Sequence, residues 1–316
     1  MCSSDLACSR AIVVIDDIVD VDVVAGELPG VWGATVRSER IVPAGPGTVA
    51  LLAGPGAEVT DVVLDRLPDL RVVVVTSMGW DHVDTGAARA RGVAVIGVEP
   101  YCVEEVAEHT VALIFDLLRG VTWLDATVRA GGWDDARLGR TVRGAALGLV
   151  GFGRIGSAVA WRAAALGMVV SVLDPFVGTE ESRERTVVRF ASSLDTLVSE
   201  CDVVSLHVPL APETRGLIDA RLLARFRPGS YLVNVSRGEV VTEAALGEAL
   251  RRGQLAGVAL DVLRTEPPAP SDPVLAFPRT VITPHSAWYS PASVERVSRS
   301  AGRVLAQWLG SAEHRR

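Results

Sequence analysis

Three glycines at 151, 153 and 156 close the segment Leu147-Gly-Leu-Val-Gly-Phe-Gly-Arg-Ile-Gly156, and Asp174 follows eighteen residues after the last of them. A GxGxxG spacing set between an apolar run and a helical one is that of a dinucleotide-binding turn. Gly151 would allow the tight turn out of a strand, Gly153 would let the backbone approach a pyrophosphate, and Gly156 would let the next helix pack on the sheet. The phosphates would lie on the exposed N–H groups of the helix that starts near Arg154. Asp174 closes the apolar run Met168-Val-Val-Ser-Val-Leu173. There it would accept hydrogen bonds from ribose hydroxyls and repel a 2′-phosphate, so NAD(H) is expected over NADP(H).

Later apolar runs also end in groups that can do chemistry. His207 stands in Leu206-His-Val-Pro-Leu210, and Asn234-Val-Ser-Arg237-Gly238 follows the next run. Asp261 and then Glu266 follow another, and Pro284-His285-Ser-Ala-Trp288 the last. In an open parallel sheet ligands bind beyond the carboxyl ends of the strands, so all these groups would meet at one rim. The set suits reduction of a ketone beside a carboxylate, with hydride from a nicotinamide. His285 is the natural proton donor. Glu266 would pair with it and favour the imidazolium. Arg237 offers a planar fork for a carboxylate. Taken singly each has a plainer reading: a surface ion pair for the arginine, a solvated turn for the glutamate, a satisfied strand end for His207. Their joint arrival at one rim favours the chemical reading.

These groups need a frame. Apolar runs at 145–150, 168–173, 202–206, 231–235, 258–260 and 281–283 predict six strands. They alternate with helical patterns at 154–166, 192–199, 219–226 and 242–252, with Asp219 and Thr242 as candidate caps. This α/β alternation specifies a Rossmann doubly wound parallel sheet. Earlier runs at 12–15, 50–52, 72–76 and 93–96 predict a smaller parallel sheet without a glycine turn. A long helix is expected over 103–118 and a last amphipathic one over 291–309, which would make the small domain discontinuous. The expected division is a substrate-binding domain of 1–100 with 287–316, and an NAD-binding domain of 101–286.

At 316 residues the chain has room for two domains, and 49% hydrophobic content fills two cores. A net charge of −7 without a Lys/Arg cluster speaks against nucleic acid or an anionic membrane as partner. Cys2, Cys8, Cys102 and Cys201 lack C-x-x-C spacing, so neither a metal site nor a disulfide framework is expected. No signal peptide or membrane span is apparent, and a cytoplasmic location is expected. Residues 1–9 carry no core pattern and are expected to be loosely ordered.

The glycine turn with Asp174, His207-x-Pro209, Ser236-Arg237-Gly238, Ala259-Leu260-Asp261-Val262, Glu266-Pro267 and Thr283-Pro284-His285 resemble, in order, the motifs of the D-isomer-specific 2-hydroxyacid dehydrogenases. The resemblance covers about residues 70 to 300. It implies a nucleotide domain inserted into a smaller flavodoxin-like domain, NAD as cofactor, a small 2-oxo or 2-hydroxy acid as substrate, and a homodimer. It further implies Arg237, Glu266 and His285 as catalytic residues. Cofactor contacts would come from Gly151, Gly153, Arg154, Ile155, Gly156, Asp174, His207, Pro209, Thr214, Val235, Asp261 and Thr110. Substrate contacts would come from Ser77, Met78 and Gly79, together with Arg237, His285 and Trp288. Tyr101–Thr110 and His285–Ser290 are similar to the C-terminal-binding-protein branch, where the tryptophan matching Trp288 lines the substrate pocket. Ser77 and Met78 depart from the family, which often has glycine and a small residue there; Met78 could narrow the pocket or simply pack into its own domain. Two other readings stay open: an NAD(H)-binding corepressor-like or sensor protein with little turnover, and a dehydrogenase of an unusual oxyanion such as phosphite.

Overall fold

The computed structural model describes residues 11–16, 18–28, 35–133, 139–177 and 188–311. The expectations for residues 1–9, and for Cys2 and Cys8, lie outside them. The chain divides into two compact units, one within 1–101 and 290–316, the other within 102–289.

The first unit is a five-stranded parallel sheet in the order β2-β1-β3-β4-β5, formed by β1 (Ala11–Ile15), β2 (Thr35–Ser38), β3 (Thr48–Ala53), β4 (Val72–Val75) and β5 (Ala94–Gly97). This is the flavodoxin-like strand order. Its helices are α1 (Val21–Glu27), α2 (Asp61–Asp65) and α3 (Thr85–Ala90). Strands buried on both faces read as continuous apolar runs, as the wholly buried Val72-Val-Val-Val75 does. β2 was not foreseen because Thr35-Val-Arg-Ser38 is a mostly exposed edge with no such run. The last helix (Pro291–Gly310) starts at a capping box between Ser290 and Ser293 and buries Val297, Ala301, Leu305 and Leu309. It lies against α1: a side chain at Gly302 would press on Glu27 and the Val24 carbonyl.

The second unit carries α4 (Val103–Arg119), α5 (Val121–Arg129), α6 (Arg154–Ala165), α7 (Leu194–Glu200), α8 (Ala220–Leu223) and α9 (Glu243–Arg251), which makes the C-terminal helix of the first unit α10. Its seven parallel strands are β6 (Ala146–Val150), β7 (Val169–Leu173), β8 (Arg189–Phe190), β9 (Val203–Leu206), β10 (Ser230–Asn234), β11 (Leu255–Leu260) and β12 (Thr280–Ile282). They lie in the order β12-β11-β10-β9-β6-β7-β8. Two apolar clusters cover the sheet. One gathers Leu197, Ile218, Leu222 and Phe226; the other gathers Ile114, Leu117, Leu147, Leu149 and Val159. The winding reverses between the neighbours β6 and β9, which opens a crevice at their carboxyl ends. Six strands were expected; the seventh, β8, is a two-residue edge too short to leave a pattern. The helix expected over 219–226 stops at Leu223, though Asp219 caps it by accepting the Leu222 N–H at 2.7 Å. Thr242 makes no side-chain cap on α9.

The turn out of β6 needs two of its three glycines for the fold itself. Gly151 has φ +96°, and a Cβ there would strike the His207 carbonyl. A Cβ at Gly156 would strike the Gly151 carbonyl, so this close approach seats α6 on the turn. Gly153 differs: its φ of −72° suits any residue and nothing lies within 4 Å of where a Cβ would stand. Gly151→Ala and Gly156→Ala should therefore each lower Tm by roughly 5 °C or more, from strain and collision together. Gly153→Ala should leave Tm within about 2 °C in the same calorimetric scan. Equal losses at all three positions would refute the distinction.

Candidate active site

The glycine turn leaves the start of α6 without a side-chain cap, so its first N–H groups face outward as donors. Asp174, at the end of β7, braces the turn: Oδ2 accepts the Phe152 N–H at 2.7 Å and Oδ1 the Phe176 N–H at 2.8 Å. Each oxygen keeps a lone pair for a further donor. His207 closes β9. Its Nε2 lies 2.9 Å from Ser205 Oγ, while Nδ1 is buried without a partner. Burial pulls the His207 pKa down to about 4, so the ring is neutral at ordinary pH. An uncapped helix start, the open side of Gly153, an acid at the β7 end and an orphaned buried ring nitrogen together fit a dinucleotide. Pro209 is exposed on the following loop, which Thr214 closes by accepting the Ala211 N–H and donating to the Pro209 carbonyl. Arg154 and Ile155 occupy the first turn of α6, and Val235 is half-buried just past β10.

Arg237 is presented by a turn that buried Asn234 builds. The Asn234 amide donates to the Arg237 carbonyl at 2.8 Å, and its Oδ1 accepts from the Ser236 N–H and hydroxyl. One guanidinium N–H donates to the Ser236 carbonyl at 2.8 Å. Gly238 lets this turn press against the next, since a Cβ there would collide with the backbone of Leu263 and Arg264. That second turn belongs to Glu266, whose Oε1 accepts the Leu263 N–H at 2.7 Å. Its Oε2 lies 2.7 Å from His285 Nδ1. Burial alone would raise the Glu266 pKa, but the His285 and Leu263 hydrogen bonds and the Arg237 charge outweigh it and hold the carboxyl below its usual value. Trp288 is tied to the same turn by an indole N–H donated to the His285 carbonyl at 2.9 Å.

His285 has φ +51°, unusual for a residue with a side chain. Asp261 holds it there. The Asp261 carbonyl accepts the His285 N–H at 2.7 Å. Its carboxylate accepts the Thr283 hydroxyl at 2.6 Å and the Ser286 and Ala287 N–H groups at 2.9 and 3.0 Å. This side chain, expected at the cofactor, is only 1% exposed. Thr110, also expected at the cofactor, is fully buried in α4 and donates its hydroxyl to the Val106 carbonyl at 2.6 Å. The helix's own i−4 carbonyl takes the hydroxyl, and no surface is left for a ligand. No role is legible in the sequence for His109, Thr283, Asn234 or Gly238, although the Thr283-Pro-His285 and Ser236-Arg-Gly238 triplets contain two of these positions and Asn234 opens the run that leads to Arg237.

In the first unit, Ser77, Met78 and Gly79 follow β4. Ser77 donates its hydroxyl to the Gly79 carbonyl at 2.6 Å, and Thr76 donates to the buried Asp16 at 2.5 Å. Met78 is 37% exposed and stands outside the apolar cluster of that sheet, so its thioether is not core filling. Among the described residues no group of three metal-binding side chains occurs, and no helix is long and apolar enough to cross a membrane.

Comparison with known proteins matches this architecture. Residues 111–287 fit the family described as D-isomer specific 2-hydroxyacid dehydrogenase, NAD binding domain. The chain is 40% identical over 260 residues to the (S)-sulfolactate dehydrogenase of Chromohalobacter salexigens, covering 82% of this chain and 84% of that one. It is 38% identical over 277 residues to the D-3-phosphoglycerate dehydrogenase of Mycobacterium tuberculosis, spanning 87% of this chain but only 51% of that longer protein. The crystal structure of D-lactate dehydrogenase from Aquifex aeolicus, complexed with NAD and lactic acid, superposes with a TM-score of 0.84 at 28% identity and covers 97% of each chain. Fold, NAD-binding domain and relatives agree, and the chain belongs to the D-isomer-specific 2-hydroxyacid dehydrogenase family, NAD-dependent enzymes that interconvert 2-oxo and 2-hydroxy acids.

Proposed function

We propose that Arg237, Glu266 and His285 carry out reduction of a small 2-oxo acid to its D-2-hydroxy acid, and the reverse oxidation, at the carboxyl end of the second unit's sheet. The observation that carries this reading is the His285 Nδ1–Glu266 Oε2 contact of 2.7 Å, beside a guanidinium whose charge acts on the same carboxylate. With Nδ1 donating to Glu266, Nε2 is the nitrogen left to give a proton to the substrate oxygen. Arg237 grips the substrate carboxylate with parallel N–H bonds. When bound, NADH supplies the hydride that C2 receives. Gly153, the start of α6 at Arg154 and Ile155, Asp174 and the His207–Pro209 loop would hold it. Gly153→Ala should accordingly weaken NADH binding in a protein that still folds. Trp288 would shape the pocket around the substrate's tail. The (S) label of sulfolactate and the (R) label of lactate denote the same arrangement at C2, because a sulfur-bearing carbon outranks a carboxylate.

We also propose a cytoplasmic homodimer. Cys102 and Cys201 are buried, and among the described residues neither is in a disulfide. No α5 residue is buried, and Val121, Val128 and Trp133 are 60%, 50% and 92% exposed. A second copy covering that face would remove an apolar patch from water. Light scattering should return about twice the 33.4 kDa chain mass, and Val121→Glu with Val128→Glu should halve it. A monomer at every concentration would rule the dimer out.

Arg237→Lys keeps the charge but loses the fork. With ~1.5–3 kcal/mol lost for one charge-assisted bond, kcat/KM for the oxo acid should drop about ten- to hundredfold, chiefly through KM. An unchanged KM would remove Arg237 from substrate binding.

His285→Ala should lose about 10²–10⁴-fold in kcat while NADH binding, read by fluorescence, survives. Since Glu266 is held below its usual carboxylate value, its charge is present above that range and is lost only as pH falls through the lowered value; the pair thus endures mild acid. Glu266→Gln removes the charge facing the imidazole, so kcat should fall with NADH binding kept. Adding it to His285→Ala should cost little more, because the two act as one unit. Multiplicative losses would contradict the pairing.

A further inference from the structure

The Asp261 carboxylate is nearly sealed from solvent, and its contact with Thr283 fixes the direction of every proton around it. Backbone N–H groups of Ser286 and Ala287 can only donate, so the carboxylate accepts from both. Thr283 has one hydroxyl proton and spends it on Asp261 Oδ1 at 2.6 Å. Its oxygen therefore presents lone pairs to the next neighbour, Nε2 of His109, 3.1 Å away. That nitrogen must carry the hydrogen, and it also lies 3.5 Å from Asp261 Oδ1. His109 stands on α4, a seventeen-residue helix packed on the sheet through Leu113, Ile114, Leu117 and Leu118. The chain thus runs from a rigid helix through His109, Thr283 and Asp261 into the turn that keeps His285 at φ +51°.

We propose that His109 is a positioning residue for oxo-acid reduction, fixing through Thr283 and Asp261 the turn that aims His285. The proposal rests on the role given to His285 above. Without the His109 donor, the Thr283 lone pair loses its partner and the hydroxyl can swing away from Asp261. Two N–H groups then hold the carboxylate alone, and a backbone conformation costly to keep is free to relax. His109 touches neither substrate nor cofactor in this scheme, so its loss acts on turnover and spares binding.

Steady-state reduction of the best-turned-over member of a panel of pyruvate, glyoxylate, hydroxypyruvate and sulfopyruvate tests this in His109→Leu, His109→Gln and Thr283→Val. The measurement is combined with NADH fluorescence titration and Tm. His109→Leu should lose about five- to tenfold in kcat, the scale of one hydrogen bond, with KM and NADH affinity within about twofold of wild type. His109→Gln, whose amide N–H can replace Nε2–H, should recover most of that loss. Thr283→Val should match His109→Leu, and the double variant should be no slower than the slower single one. A wild-type kcat in His109→Leu, a loss that tracks Tm and is not rescued by glutamine, or multiplying losses in the double variant would each overturn the proposal. His285→Ala in the same assay separates the two levels. If it keeps its kcat, the assignment of His285 itself falls; if it is crippled while His109→Leu is normal, only the relay falls.

Discussion

The geometry of this rim depends on one enclosed carboxylate. Asp261 gathers a hydroxyl and two backbone N–H groups on its side chain and takes the His285 N–H on its carbonyl. Left-handed backbone at a residue with a Cβ costs about 1–2 kcal/mol, and four hydrogen bonds to one residue outweigh that. The resulting turn sets the imidazole against Glu266 and lets Trp288 close back on the His285 carbonyl. Asn234 does similar work one strand away, where its amide shapes the Arg237 turn. Gly238 then couples the two, since only a residue without a side chain lets the Arg237 turn lie on the Leu263–Arg264 backbone. Three adjacent strand ends thus act as a single piece.

The ionisable groups are divided by their surroundings. His207 is enclosed and carries no opposing charge, so burial keeps it neutral. Glu266 keeps a partly exposed side chain, and two donors with the Arg237 charge hold its carboxyl below the usual value. One histidine is thereby held neutral at the β9 end, while the other stands 2.7 Å from a carboxylate oxygen. The glycine turn shows a comparable division: Gly151 and Gly156 serve the fold, and only Gly153 is spared for an approaching ligand.

Much of this was legible in the sequence because parallel strands covered on both faces leave continuous apolar runs. Val72–Val75 and Leu147–Val150 declare themselves, and the residues that follow such runs fall on one rim by topology alone. Exposed or very short edges such as Thr35–Ser38 and Arg189–Phe190 leave no such mark. The sharper limit concerns polar residues. The motifs mark Asp261 and Thr110 but do not show that the first holds the Thr283–Ala287 turn or that the second bonds to its own helix. A motif names a position; which neighbour takes its hydrogen bonds depends on contacts between residues far apart in the chain, as between His109 and Thr283. Those distances are set only by the folded sheet.

On the proposed reading this rim turns over a 2-oxo acid as well as binding NAD(H). The direct test supplies the protein with NADH and a panel of small 2-oxo acids, follows absorbance loss, and resolves the product hydroxy acid on a chiral column. One NADH should be consumed per acid reduced, and the product should have the D configuration. Saturable NADH binding with no turnover of any 2-oxo acid, or a product of L configuration, would contradict it.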